Sequence, residues 1–177
     1  GKFAAPVGPA MTDGELWSNF SAEPTALEID QHDHASIIKL KADEKIPANA
    51  RQIVGGHPIL VRHGEKAKLT GRFSTTRNPR TAVGVNKDGT KLILLVVDGR
   101  QRKLSIGMTL PELADEMIRL GCYNALNLDG GGSSTLVLHD PATGKLHVVN
   151  SPSDTKERSV ADVLGVKVKA PLPKLPE

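Results

Sequence analysis

Apolar and polar residues alternate over Thr25–Asp30 (TALEID), the period of a half-buried strand. The polar QHDHA that follows reads as a turn, and SIIKLKA (Ser36–Ala42) as the returning strand. Arg51–Lys66 (RQIVGGHPILVRHGEK) reads as two strands joined by a Gly-Gly-His-Pro corner and closed by a turn at His63-Gly64. From Arg72 to Pro79 the chain is polar and strand-free. Thr81–Val85 alternates again, Lys87-Asp88-Gly89 turns, and Leu92–Val97 is a continuous apolar run, suited to a strand buried on both faces. Asn124–Asp129 and Ser134–Leu138 give two short strands, PATGK a turn, Leu146–Asn150 the return, and Val160–Lys169 a last alternating strand. The first ten residues read as a loop, and APLPKLPE as a Pro-rich tail.

One segment has helical period. Leu110, Leu113, Ala114, Met117 and Leu120 share a face. Thr109 and Glu112 form a capping-box pair at its start. Pro111 falls in the first turn, where its missing N–H costs nothing, and Gly121 is placed to end the helix.

The expected fold is α+β: a twisted, strand-rich mixed sheet with one main helix, about 110–120, packed on it. TALEIDQHDHASIIKL and TAVGVNKDGTKLILLV both read strand, turn, strand with Thr-Ala first. Chance likeness of two hairpins is the preferred explanation, and a duplicated half-domain the alternative.

A chain of 177 residues with a net charge of +3 and spread-out basic residues suits an anionic small molecule better than a nucleic-acid duplex. The single cysteine, Cys122, allows no internal disulfide and reads as a small buried filler. No apolar run is long enough to be a transmembrane helix.

Four segments put polar groups at strand ends: Arg77, Arg80 and Thr81; Asp98, Gly99 and Arg100; Asp129 with the run behind it; and Asn150, Ser151, Ser153 and Arg158. Asp98 and Asp129 each end an apolar strand. Their carboxylates share a sheet edge if those strands run parallel, and antiparallel neighbours would separate them. Gly130, Gly131 and Gly132 let backbone N–H groups approach an anion, with Ser133, Ser134 and Thr135 as hydroxyl donors. Arg80, Arg100 and Arg158 offer two-pronged hydrogen bonds to phosphate. A glycine run after a strand is, by itself, more often a turn or bulge. No Walker lysine follows the run, and the nucleophile elbow of serine hydrolases is absent. His32, Asp33 and His34 read as an exposed turn rather than a metal site, and His57 either lines a site or caps a corner.

These motifs together resemble the phosphodiester glycosidase family. The resembling stretches are VGGHPILVRHG, RNPRTAVGVNKDG, LLVVDGRQ, SIGMTLPELADEMIRLGCYNALNLDGGGSSTLV and VNSPSDTKERSVADVLGV, in family order over about residues 52–168. The resemblance implies hydrolysis between an anomeric sugar carbon and a phosphodiester, such as N-acetylglucosamine-1-phosphodiester. It carries Asp98 and Asp129 as catalytic residues. Arg80, Thr81, Arg100, Gly130, Gly131, Gly132, Ser133, Ser134, Thr135 and Arg158 are carried as substrate- and phosphate-binding residues. No cofactor is expected, with a divalent cation at Asp98 and Asp129 left open. The partner is a sugar-1-phosphodiester substrate, and the location implied is an exported one. A single domain over 1–170 with a tail at 171–177 is expected. The family has a further Asn-x-Gly-aromatic-Phe segment ahead of the stretch matched by APVG, so the domain is expected to lack its N-terminal segment. The alternative function is a non-catalytic module that binds an anionic glycan.

Overall fold

The computed structural model describes residues 6, 8–18, 25–40, 45–154 and 157–168. The first half holds β1 (Ala10–Thr12), β2 (Glu15–Ser18), β3 (Thr25–Asp30), β4 (Ala35–Lys39) and β5 (Ala50–Gly55). The second holds β6 (Ile59–Arg62), β7 (Glu65–Lys66), a one-turn helix α1 (Arg72–Thr75), β8 (Arg80–Val85), β9 (Leu92–Val97), α2 (Leu110–Arg119) and β10 (Asn124–Asn127). A 3₁₀ turn at Gly131–Ser133 leads to a hairpin of β11 (Val137–Asp140) and β12 (Lys145–Val148).

The expected α+β fold on one mixed sheet is overturned. The described strands form three sheets, ordered β2-β1-β5-β3-β4, β7-β6-β10-β8-β9 and β11-β12, and every pairing is antiparallel. Short turns make the successive pairs β1–β2, β3–β4, β6–β7, β8–β9 and β11–β12 antiparallel, because a parallel neighbour needs a long crossover. The helix is one ten-residue element beside a strand-dominated molecule.

The two five-stranded sheets repeat one order, offset by five strands. The likeness of TALEIDQHDHASIIKL to TAVGVNKDGTKLILLV is therefore more than local. The hairpins β3–β4 and β8–β9 occupy the same place in two sheets of the same topology, which favours the duplicated half-domain.

The core shows why β8 and β10 lie at the centre. Ala82 and Ala125 cluster with Leu110, Leu113, Ala114 and Met117 of α2. Val83, Val85 and Leu126 cluster with Leu27 and Ala35 of the first sheet. Alternate residues of both strands thus face opposite layers. Gly84 is glycine for lack of room: a Cβ there would meet Cys122 Sγ at 2.3 Å and Met117 Cε at 2.7 Å.

α2 carries the expected cap. The Thr109 side chain accepts from Glu112 N at 3.4 Å, and Thr109 N donates to Glu112 Oε2 at 2.9 Å. That backbone bond is the main cause holding the Glu112 carboxyl below its ordinary value.

Three local expectations change. Leu92–Val97 is not buried on both faces, because β9 is the sheet's edge strand and Leu94 is 41% exposed. The strand expected at Ser134–Leu138 begins later, at Val137, because the 3₁₀ turn takes up Ser133 and the chain extends only after it. Val160–Val168 forms no strand and its valines are exposed; without a paired neighbour, alternation alone does not make one. Lys169 and the Pro-rich tail lie outside the described residues.

Candidate active site

β9 and β10 both flank β8 and run antiparallel to it. They are therefore parallel to each other at one remove. The ends carrying Asp98 and Asp129 fall on one sheet edge, with Arg80 and Thr81 at the start of β8 between them. At strand spacing the two backbones stand roughly 9–10 Å apart.

The two acids have different surroundings. Asp98 Oδ1 accepts from Asn150 Nδ2 at 2.9 Å, and both its oxygens accept from Ser151 N at 3.0 Å. Asn150 also donates to Ser134 O at 3.0 Å and accepts from Leu136 N at 2.8 Å. Asp98 thus ties the 150–151 segment and the run after the glycines to the end of β9. The Asp129 side chain is 79% exposed. Its Oδ1 accepts from Gly130 N at 2.9 Å, and its Oδ2 lies 4.0 Å from Arg158 Nη2.

The arginines are also distinct. Arg80 is buried, and its guanidinium donates to Met108 O (3.1 Å), Phe73 O (3.1 Å) and Thr76 O (2.7 Å). Burial, and then the charge of Arg100, lowers its pKa. Arg100 donates Nε and Nη2 to Asn78 Oδ1 at 3.2 and 3.0 Å, from a residue with φ of 58°. Arg158 donates Nε and Nη2 to Ser133 Oγ at 3.0 and 2.7 Å, and its Nη1 lies 3.9 Å from Asp154 Oδ2. Arg77 turns away to Glu112 and Gly107 O.

Each glycine of the run has a neighbour where its Cβ would be. At Gly130 it is Pro79 O, at 3.0 Å. At Gly131, which has a φ of +62°, it is the Arg100 guanidinium, at 3.1 Å. At Gly132 it is the Asp154 carboxylate, at 2.0 Å. Ser134 is buried and its Oγ accepts from Thr81 Oγ1 at 3.3 Å, while Thr135 follows half-buried. The run is a turn, and one whose absent side chains make room for Arg100 and Asp154.

Asp154 and Asp162 lie in the same stretch as Arg158 and are not among the site residues expected from sequence. The lone signal was an acid four residues either side of Arg158. Desolvation and the negative charge of Asp129 push the Asp162 carboxyl up. His57 stands on the same edge, one strand further: Asn127 Nδ2 donates to His57 O at 2.7 Å, and Asn127 N to Pro58 O at 3.0 Å.

His32, Asp33 and His34 belong to a turn. Asp30 Oδ1 accepts from His32 N and His34 N, and Asp33 pairs with Arg51. No group of three or more acid, His or Cys side chains among the described residues is placed to hold a metal ion. A cleft of about 360 Å³ beside Lys39, Ile59, Arg62 and Lys66 runs along β6 and includes none of the site residues. Among the described residues, no helix is long and apolar enough to cross a membrane.

The family model described as phosphodiester glycosidase matches residues 1–167. The chain is 31% identical over 151 residues to mouse N-acetylglucosamine-1-phosphodiester alpha-N-acetylglucosaminidase, covering 75% of this chain and 29% of that protein. It is 40% identical over 90 residues to the prophage-derived protein YomE of Bacillus subtilis (strain 168), covering 51% of this chain and 13% of that protein. It thus spans less than a third of either relative's length. A solved structure of the zebrafish N-acetylglucosamine-1-phosphodiester alpha-N-acetylglucosaminidase catalytic domain, auto-inhibited by its pro-peptide, is similar with a TM-score of 0.69 at 28% identity. The likeness covers 90% of this chain and 59% of that one.

Proposed function

The chain belongs to the phosphodiester glycosidase family, and from that premise we propose that it hydrolyses the bond between an anomeric sugar carbon and a phosphodiester oxygen. N-acetylglucosamine-1-phosphodiester is the substrate we favour, by analogy with the mouse and zebrafish proteins. The observation that supports this reading best is the meeting of Asp129, Arg100 and Arg158 around one glycine turn.

The leaving group of such a substrate is a phosphate monoester. It is weakly basic and departs with little protonation, so cations that hold its charge matter more than an acid of raised pKa. Arg100 and Arg158 are proposed for that role, with Ser133 as a further donor. The transition state at the sugar resembles an oxocarbenium ion and favours a nearby carboxylate. The exposed Asp129 is proposed there. Asp98, held by Asn150 and Ser151, is proposed as a positioning residue, and Arg80 likewise, because its guanidinium holds backbone carbonyls. Thr81, Ser134 and Thr135 shape the floor. An exported location accompanies the proposal.

The test is incubation with a sugar-1-phosphodiester and measurement of released reducing sugar. Release that Asp129→Asn nearly abolishes supports the reading. Binding without release would instead make the chain a glycan-binding module.

A further inference from the structure

We infer that Asp154 is the second carboxylate of this site, placed to take the proton of the water that attacks the anomeric carbon. The inference rests on the glycosidase reading above.

The geometry that carries it is threefold. First, the Asp154 carboxylate occupies the space a side chain at Gly132 would fill, with atoms 2.0 to 2.7 Å from that ideal Cβ position. The neighbouring glycine makes the same kind of room for Arg100. The turn therefore sets a carboxylate and a guanidinium on successive residues. Second, one guanidinium lies between two acids: Arg158 Nη2 is 4.0 Å from Asp129 Oδ2, and its Nη1 is 3.9 Å from Asp154 Oδ2. The width of a guanidinium then keeps those two oxygens within about 10 Å of each other, compatible with the roughly 5–9.5 Å between paired glycosidase carboxylates. Both separations exceed hydrogen-bond reach, so each acid can turn to a substrate atom or a water. Third, the obvious alternative is engaged. Asp98 accepts from Asn150 and Ser151, whereas Asp154 is 41% exposed and, among the described residues, has Arg158 as its ion-pair partner and no hydrogen bond.

The step balances without a co-reactant. The water oxygen bonds to the anomeric carbon as the carbon–oxygen bond to phosphate breaks. The bonding electrons leave with the phosphate monoester, whose charge Arg100 and Arg158 meet. The water proton passes to Asp154 and then to solvent.

The test uses the 177-residue chain and the methyl diester of N-acetylglucosamine-1-phosphate. Asp154→Asn should lower kcat on the order of 100-fold, as loss of a general base does, with KM changed by less than about threefold. Molar formate should restore part of the turnover of Asp154→Ala, and none of that of Asp98→Asn. Rescue is the readout that a purely structural ion pair would not show. Circular dichroism checks that the variants fold. If the wild-type chain turns over but Asp154→Asn keeps more than about a third of its kcat, or formate restores nothing to a folded Asp154→Ala, Asp154 is not the base. If the wild-type chain releases no sugar, the glycosidase reading falls and this assignment falls with it.

Discussion

Asp98 and Asn150 stand 52 residues apart in sequence and are joined by a 2.9 Å hydrogen bond. The bond fixes the segment carrying Asp154 and Arg158 to the end of β9. Asp98→Ala leaves Ser151 N and the Asn150 amide without their charged acceptor. Hydrogen bonds to a charged group contribute about 1.5–3 kcal/mol each. A melting temperature lowered by roughly 6–12 °C is expected, from about 3 kcal/mol for the two donors together in a chain of this size. Thermal unfolding followed by circular dichroism measures it. An unchanged melting temperature would show that the 150–151 segment is held by other contacts.

Arg80 should behave as a clamp. Its guanidinium reaches three backbone carbonyls, of Phe73, Thr76 and Met108. Lysine cannot span them, because its ammonium is a single point rather than a fork. Arg80→Lys should cost about 2 kcal/mol in a urea titration and lower kcat/KM by loosening Asn78, on which Arg100 rests. A variant as stable as wild type would refute the clamp.

Gly132→Ala separates local crowding from function. The three atoms nearest the new Cβ all belong to the movable end of Asp154, so stability should fall by about 1–2 kcal/mol. Turnover should fall as in Asp154→Asn. The double variant should be no slower than the slower single one, since both remove the same carboxylate. Additive losses, measured as kcat, would argue that the glycine serves another purpose.

The Cys122 thiol is buried against Gly84 and Met117, and burial raises its pKa from 9.0 to about 11. The folded state thus keeps its proton where the unfolded chain loses it. The stability so gained is fully present below pH 9 and is lost as pH rises toward 11. Cys122→Ala should show a flatter stability curve than wild type between those pH values in urea titrations. Identical slopes would contradict the assignment.

Much of the local structure was legible because its causes are local. The capping box at Thr109 and Glu112 and the turns at His63-Gly64 and Lys87-Asp88-Gly89 depend on neighbours in sequence. Asp13-Gly14 is a further local signal: with φ of 48° and 83° it turns β1 into β2, the residue pair a tight hairpin favours. The edge position of β9, the separation of the two five-stranded sheets and their offset repeat depend on strand order, which apolar pattern does not encode. The candidate site was half legible. The structure places Asp129, Arg100 and Arg158 near the glycine run, and their roles there are proposals. Asp98 could not be told from Asp129, because its partners Asn150 and Ser151 lie far along the chain. Glycine at 132 announces missing volume, yet only the fold reveals that Asp154 takes it up.

The most direct test of the central claim is hydrolysis of a sugar-1-phosphodiester in water enriched in heavy oxygen, with the phosphate product read by phosphorus NMR. Attack at the anomeric carbon leaves the phosphate monoester unlabelled, with a single unshifted resonance, and that is the predicted result. A resonance shifted by heavy oxygen would place the cleavage at phosphorus and contradict the account.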